Sequence, residues 1–280
     1  MNESEIVEML SMVPVFAISD GAGRAVLMRK NETDVPEQLL FTDVDVGRAH
    51  ALGVKKASQD ASLELRLATL TAAHAYAAPS ADQRHVVVLV ADPRELHVAR
   101  QLLLRANGVS TNLTDEAAVE RAANALDTGL DLAAGVPLFT LDSMNASVHG
   151  DKQVQPWFMS FADLAQQYVA THATNASDSA SSGAALSQML AGGGLVVSTL
   201  DKVLETVRRP ESPAALAAFI VPPSSSVEVL KEQLARGDAA PGGAAAQADS
   251  DSMIRQAAER IQAEEGGAGL FGDDDASLFE

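Results

Sequence analysis

The 280-residue sequence contains no cysteine. This absence excludes structural disulfides, thiolate zinc sites, iron–sulfur clusters and a cysteine nucleophile. The six histidines include no His-x-x-x-His pair, the spacing that places two imidazoles on one face of a helix. We therefore expect neither a metal site nor a cofactor.

Basic residues are few, with 20 lysines and arginines against 38 aspartates and glutamates, so the formal charge is −18. A surface of this sign repels the phosphates of nucleic acids and anionic lipids, and we expect neither as a partner. No apolar run approaches the roughly 18 residues of a transmembrane helix. The acidic first residues are unlike a secretory signal or a transit peptide, so we expect either a protein that stays where it is made or a mature form.

Catalytic motifs are missing as well. The sequence has no Gly-x-Ser-x-Gly elbow, no Walker loop and no complete dinucleotide fingerprint. Most carboxylates precede predicted helices or lie near the C terminus, where helix capping and solvation explain them. We predict that the protein is not an enzyme. A hydrolase that uses scattered aspartates and histidines remains the enzymatic alternative.

What the sequence does contain is one pattern that occurs twice. Residues 135–160 include Gly-Val-Pro-Leu-Phe-Thr-Leu-Asp and then Val-Gln-Pro-Trp-Phe-Met-Ser, and residues 12–42 include Met-Val-Pro-Val-Phe-Ala-Ile-Ser-Asp and then Gln-Leu-Leu-Phe-Thr. Each copy predicts a strand, a polar turn, a second short strand, a third strand and a helix start, at Thr42 in the first copy and Ser160 in the second. The sequence therefore predicts an α+β fold with a pseudo-two-fold internal duplication, each half a small antiparallel-rich sheet packed with helices.

The duplication sets the expected organisation of the chain. We predict a first α/β half over residues 1–112 and a second over 113–236, with a flexible insertion at 173–185 where small polar residues have nothing to bury. Residues 237–280 are rich in alanine and glycine and contain ten acidic and two basic residues. We expect this tail to be largely disordered.

The periodicity of hydrophobic residues predicts the individual helices and strands. In the first half it predicts helices over 2–11, 43–53, 57–76 and 93–107 and strands over 13–19, 24–29, 38–42 and 85–91. The helix over 43–53 ends at Gly53, and the helix over 57–76 follows from the spacing of Leu63, Leu67 and Leu70. The strand over 85–91 is the most apolar and is predicted to be buried on both faces. We align it with the strand that begins at Leu195.

Five of these motifs together resemble one family. They are the Val-Pro runs at 12–18 and 135–139, Gln-Val-Gln-Pro-Trp-Phe at 153–158, the Leu-Val-Val-Ser-Thr-Leu run at 195–204 and Phe-Ile-Val-Pro-Pro at 219–223. Their order is similar to that of the soluble 22-kDa subunit of the Tic translocon, the import machinery of the chloroplast inner envelope, which has cyanobacterial relatives. The resemblance covers about residues 5–235.

The resemblance implies a function. It implies protein import into plastids by a non-enzymatic chaperone or translocon component of the envelope intermembrane space, or of the periplasm for a cyanobacterial relative. It also implies apolar pockets that hold precursor proteins in transit, and partners among the outer- and inner-envelope translocon components. The negative charge of the chain is suited to attracting basic presequences.

Candidate client-binding residues lie in corresponding strands of the two halves. Strand alternation sends successive side chains to opposite faces, so one face could serve the core and the other an apolar groove for a polypeptide. The candidates are Phe16, Ile18, Phe41, Phe139, Leu141, Trp157 and Phe158. The alternative interpretation is that these side chains form the core of each half.

A second family shares part of the pattern. The Val-Pro-Val-Phe run followed by Phe-Thr-Asp also resembles the bacterial SseB-type accessory module, an adaptor of secretion-related loci. That resemblance leaves Phe-Ile-Val-Pro-Pro at 219–223 unexplained. A binding adaptor is therefore the alternative to an import factor.

Overall fold

The computed structural model describes residues 1–29, 35–58, 63–77, 85–109, 115–126, 128–132, 135–144, 146–148, 152–172, 179–192, 194–209 and 217–236. The predicted tail at 237–280 and residues 173–178 of the predicted insertion lie outside these ranges. The first half of the chain contributes α1 (Glu3–Ser11), β1 (Pro14–Asp20), β2 (Leu27–Met28), β3 (Glu37–Phe41), α2 (Val44–Ser58), β4 (Leu65–Thr71), α3 (Ala72–Ala77), β5 (Val86–Val90) and α4 (Pro93–Ala106). The second contributes α5 (Glu116–Asn124), β6 (Pro137–Leu141), β7 (Ala146–Val148), β8 (Lys152–Phe158), α6 (Phe161–His172), α7 (Ser179–Ala191), β9 (Leu195–Thr199), α8 (Leu200–Arg208), β10 (Ala217–Val221) and α9 (Ser224–Arg236).

The described strands form two five-stranded sheets with the same connectivity. In the first sheet, β1 is antiparallel to β3 and β4, while β3 is parallel to β5 and antiparallel to β2. In the second, β6 is antiparallel to β8 and β9, while β8 is parallel to β10 and antiparallel to β7. The predicted α+β class and its internal duplication are confirmed strand by strand.

The duplication extends to single hydrogen bonds. The backbone N–H of Ala72 donates to the carbonyl of Val13 at 2.8 Å, and that of Leu200 donates to Val136 at 2.8 Å. Both acceptors are the valines that precede proline at the start of β1 and β6. Proline restricts the residue before it to extended conformations, which suits the start of a strand. The Val-Pro pairs therefore begin the first strand of each sheet.

The two halves exchange their last helices. Helix α4 follows β5 but packs against β6 and β9 of the second sheet, and α9 follows β10 but packs against β1 of the first. Thr69 in β4 donates a side-chain hydrogen bond of 2.5 Å to Gln233 in α9. Each sheet is thus covered in part by a helix from the other half.

The central core draws on both halves. This central cluster is formed by α1, α3, α8 and the inner faces of the two sheets, and includes Ile6, Met9, Leu10, Val13, Val15, Leu40, Ala72, Val136, Leu138, Leu200, Val203, Leu204, Ala218 and Ile220. Since the burial of apolar surface is the main favourable term in folding, this shared cluster joins the two sheets. None of the helices among the described residues is long and apolar enough to cross a membrane.

Three predicted elements of the first half are wrong. The expected helix over 57–76 is β4 followed by the short α3. Leu63, Leu67 and Leu70 fit helical spacing, but leucines and charged residues alternate over 63–67, and β4 pairs with β1 along its whole length. Helix α2 continues past Gly53 to Ser58. The expected strand over 24–29 is only Leu27–Met28, and it pairs with β3.

Three further predictions need correction. The strand that begins at Leu195 is the counterpart of β4, because it pairs antiparallel with β6 as β4 does with β1; the counterpart of β5 is β10. Helix α2 is capped by Asp43, whose carboxylate accepts from the N–H groups of Asp45 and Val46, and not by Thr42. Residues 179–185 begin α7 and do not form a flexible insertion. Ser160 caps α6 as predicted, accepting from the N–H of Asp163 at 3.3 Å.

Candidate functional site

The seven candidate client-binding residues lie in three separate clusters. Phe16, Phe41 and Phe139 are 0% exposed, and all the others except Trp157 are buried. The first cluster contains Phe16, Ile18 and Phe41; the second contains Phe139, Leu141 and Phe158; Trp157 packs against the central cluster and is half-buried. The structure therefore does not bring them together on one surface.

Helices cover both aromatic clusters. In the first sheet, Val44 of α2 and Val229 of α9 pack on the cluster of Phe16 and Phe41. In the second, residues of α4, α6 and α7 pack on the cluster that contains Phe139. The strands alternate as predicted, but the face opposite the central cluster is occupied by helices. In this structure the candidate side chains other than Trp157 are therefore part of the core of each half, as the alternative interpretation states.

A groove lined mostly by apolar residues lies elsewhere, beside β5, although polar atoms contribute much of the surface that it exposes. It is a cavity of about 350 Å³ at the junction of the two halves. Its described lining comes from α1, α3, β5, the residue before β6 and α8: Leu10, Ala72, Ala75, Tyr76, Val87, Val88, Leu89, Val136, Leu200, Asp201 and Leu204. None of the seven sequence-predicted residues is among them. Asp201 is the one charged side chain in this described lining, and it is exposed.

Strand β5 forms the floor of the groove. Among the described strands it pairs only with β3, so it is an edge strand. Val86 is 51% exposed, and the other four residues of β5 are half-buried. The prediction that this strand is buried on both faces is therefore wrong, because Val86 is exposed and no residue of β5 is fully buried. All five residues of β5 are apolar, as in a fully buried strand, although the strand is only partly buried.

Alternation in β5 assigns its side chains to two faces. Val87 and Leu89 pack against the central cluster and line the groove. Val90 packs on the opposite face, against the cluster of Phe16 and Phe41. Val86 shares the parity of Val88 and Val90, and it is not among the lining residues, although Val88 is. Adjacent valines thus provide one groove residue and one matched control.

A polar cluster surrounds Tyr76, one of the residues that line the groove. The Tyr76 hydroxyl donates to the carboxylate of Glu3 and accepts from Arg208, whose guanidinium lies 5.2 Å from the centre of the tyrosine ring. Arg208 also pairs with Glu3, with 3.3 Å between Nε and Oε1. Burial, and then the hydrogen bond to Glu3, raise the pKa of Tyr76, so the phenol is neutral at physiological pH. This cluster ties α1, α3 and α8 together.

Carboxylates converge at a second place, where α2, α4, α6 and α9 begin. Each one accepts hydrogen bonds from backbone N–H groups of these helices: Asp43, Asp92, Glu95 and Asp163. These are helix caps that also link the halves, since Glu95 of α4 accepts from Phe161 of α6. Within the described ranges, no group of three or more acidic or histidine side chains is placed to hold a metal ion.

The sequence offered only an indirect signal for the groove. Its lining residues are alanines, valines and leucines in ordinary helix and strand patterns, scattered from Leu10 to Leu204. Only the fold assembles them. The run of apolar residues over 86–90 was the one local sign, because an edge strand with apolar residues on both faces needs a cover.

Comparison with known proteins finds likeness at the level of the fold. No family model matches the chain, and no curated protein matches it. The structure of Tic22 from Anabaena, described as a protein of protein transport, matches with a TM-score of 0.54 and 14% identity over 83% of this chain and 97% of that one. Tic22 from Plasmodium falciparum matches with a TM-score of 0.54 and 15% identity over 83% of this chain and 98% of that one. The chain is similar in fold to these proteins over most of its length.

Proposed function

We propose that this chain is a protein-transport factor that binds polypeptides in transit in the groove beside β5. The observation that carries the proposal is a groove lined mostly by apolar residues, along an edge strand whose outer side no described strand covers. The likeness in fold to two Tic22 proteins, one of them described as a protein of protein transport, supports it.

The size of the groove suits a few apolar side chains. Its volume of about 350 Å³ is more than twice that of the roughly 150 Å³ cavity that holds a benzene molecule. Burial of one leucine or methionine side chain contributes about 1.5–3 kcal/mol, and ordering of the bound segment offsets part of that gain. Binding through two or three side chains is therefore weak and reversible, as transient holding of a client requires.

Charge favours basic clients. The chain carries a formal charge of −18, and Asp201 is exposed at the groove. Attraction between exposed charges falls off within a Debye length of about 8–10 Å at physiological salt. Electrostatics therefore raise the association rate of basic segments and leave specificity to the apolar contacts.

The cellular setting is part of the proposal. We place the protein in the plastid envelope intermembrane space, or in the periplasm if the source is a cyanobacterium. Its proposed partners are precursor proteins and the translocon components of the outer and inner envelope. Its proposed role is that of a chaperone or translocon component without catalytic activity. The similarity in fold to Tic22 and the groove support this assignment.

Two matched variants in β5 test the proposal. A fluorescein-labelled peptide rich in leucine and lysine is titrated with the wild-type chain, Val87→Asp and Val86→Asp, and fluorescence anisotropy is measured. We expect Val87→Asp to weaken binding at least tenfold, because it places a carboxylate in the groove, and Val86→Asp to change it less than twofold. Circular dichroism and urea unfolding establish that both variants are folded. Equal binding by the two folded variants, or no binding by the wild type, would reject the groove.

A further inference from the structure

The groove beside β5 has a counterpart beside β10. By connectivity, β10 corresponds to β5, and α8, which follows β9, corresponds to α3, which follows β4. Helix α3 packs beside β5, and α8 packs beside β10 in the same way. The duplication thus creates two corresponding positions for a helix, or seats. Each seat is bounded by α3 and α8, and its floor is β5 in one case and β10 in the other.

Helix α1 fills the seat over β10. It packs against both α3 and β10, and its buried side chains join Ala218 and Ile220 of β10 in the central cluster. The N-terminal amino group donates a 2.7 Å hydrogen bond to the carbonyl of Val207 at the end of α8. This seat therefore holds an amphipathic helix.

The corresponding helix of the second half does not fill the seat over β5. Helix α5 precedes β6 as α1 precedes β1, but it packs against the end of α4, with Val119 and Ala123 next to Leu104. No other described helix takes its place over β5, and the groove of about 350 Å³ lies there. The described helices therefore fill the seat over β10 and leave the seat over β5 open.

Helix α1 also shows which pattern fits such a seat. Ile6, Met9 and Leu10 are buried and follow i, i+3, i+4 spacing, while Glu8 is exposed on the other side. The rim of the groove over β5 includes Asp201 in a chain of net charge −18. A helix with a basic outer face therefore complements this rim, whereas a helix with the acidic face of α1 does not.

We propose that the groove beside β5 binds a basic amphipathic helix of a client polypeptide, seated as α1 is seated on β10. Three apolar side chains at i, i+3 and i+4 enter the groove, and lysines or arginines face Asp201 and solvent. This inference rests on the proposed function and names the conformation and pattern of the segment that is bound.

Two peptides of equal composition test it. In one, isoleucine, methionine and leucine recur at the spacing of Ile6, Met9 and Leu10 with lysines between them; in the other, the same residues alternate with lysine. Each fluorescein-labelled peptide is titrated with the full chain, and circular dichroism of the mixture reports helix formation. We expect the first peptide to bind at least tenfold more tightly, to gain helical signal on binding, and to lose at least tenfold in affinity in Val87→Asp but not in Val86→Asp.

Three other outcomes would overturn the inference. Equal or tighter binding of the alternating peptide would assign the groove to an extended strand added to β5 and would leave the proposed function standing. Failure of both peptides to bind would reject the helix and the proposed function together. A concentration-dependent dimer in analytical ultracentrifugation that Val87→Asp abolishes would assign the groove to a second copy of this chain.

Discussion

The carboxylate of Glu95, in the first turn of α4, accepts a hydrogen bond of 2.9 Å from the backbone N–H of Phe161 at the start of α6. Helix α4 comes from the first half of the chain and α6 from the second, so one side chain caps a helix across the duplication. Burial raises the pKa of Glu95 above its ordinary value of 4.5, although the hydrogen bonds from Phe161 and Ser160 oppose this effect.

This raised pKa predicts how stability depends on pH. A carboxyl whose pKa is higher in the folded state stabilises the fold when protonated, and that contribution is lost as pH rises from 4.5 through the raised value. Glu95→Gln stays neutral and still accepts from Phe161. We therefore expect the free energy of unfolding of Glu95→Gln, relative to wild type, to increase between pH 4 and pH 8. Urea unfolding at several pH values measures it.

The control for this prediction is Glu95→Ala. It removes the acceptor and leaves the partly buried N–H of Phe161 without it, so we expect a loss of about 1–3 kcal/mol in the free energy of unfolding at pH 7. A free energy of unfolding of Glu95→Gln that falls relative to that of wild type as pH rises would contradict a raised pKa for Glu95.

Two glycines should respond oppositely to alanine. A Cβ at Gly135 would lie 2.6 Å from the carbonyl oxygen of Asp131 and 2.9 Å from Cγ2 of Thr199, whereas a Cβ at Gly53 would meet nothing within 4 Å. Gly53 lies inside α2, so Gly53→Ala should stabilise the protein by about 0.5–1 kcal/mol. Gly135→Ala should destabilise it by about 1–3 kcal/mol, because backbone or core must shift. Thermal and urea unfolding measure both, and equal effects would contradict the packing at Gly135.

The exchange of helices predicts a role for a buried serine. Ser226 in α9 is 0% exposed and donates a 3.0 Å hydrogen bond to the carbonyl of Thr42 at the end of β3. Ser226→Ala should cost about 1–2 kcal/mol in the free energy of unfolding. The control variant Glu228→Ala, at an exposed position of the same helix, should cost about 0.5 kcal/mol or less. A loss for Ser226→Ala that is no larger than the loss for Glu228→Ala in urea unfolding would argue against the docking of α9 on the first sheet.

Charge at the groove predicts salt-dependent binding. Asp201 is exposed, and exposed ion pairs contribute about 0.2–1 kcal/mol at low salt. Asp201→Asn should therefore weaken the binding of a lysine-rich peptide by roughly 1.5- to 5-fold at low salt. The difference should vanish near 1 M salt, where the Debye length is about 3 Å. Anisotropy titrations at two salt concentrations measure it. The control is the same peptide with glutamine in place of each lysine. An equal loss of affinity for that peptide would show that Asp201 does not act through its charge.

The repeated sheet could be predicted because its signals are local. The Val-Pro pairs before Phe16 and Phe139, the turn after Asp20 and the cap at Ser160 each specify structure within a few residues. Because the same pattern of motifs occurs twice along the chain in the same order, it indicates the duplication. Strand β4 was missed because its leucines satisfy both a helical and an alternating period, and pairing with β1 decides between the two.

The groove could not be predicted, because it depends on long-range packing. Alternation in β1 correctly assigns Phe16 and Val15 to opposite faces, but no local pattern shows that α9 covers the face of Phe16. Similarly, α1 and α5 are both short amphipathic helices before a Val-Pro strand. Only the tertiary structure shows that one fills its seat over a parallel strand and the other packs against α4.

The most direct test of the groove uses the absence of cysteine from the chain. Ala75→Cys places a single thiol in the groove, and Val86→Cys places one at a 51% exposed position on the same edge strand, outside the lining. Each variant is mixed with a basic amphipathic peptide whose one cysteine is a mixed disulfide with thionitrobenzoate, and the thionitrobenzoate released by thiol–disulfide exchange is followed over time. Random collision favours the exposed position 86. We expect faster capture at Ala75→Cys, abolished by excess peptide without cysteine; capture that is faster at Val86→Cys, or insensitive to that competitor, would contradict binding in the groove.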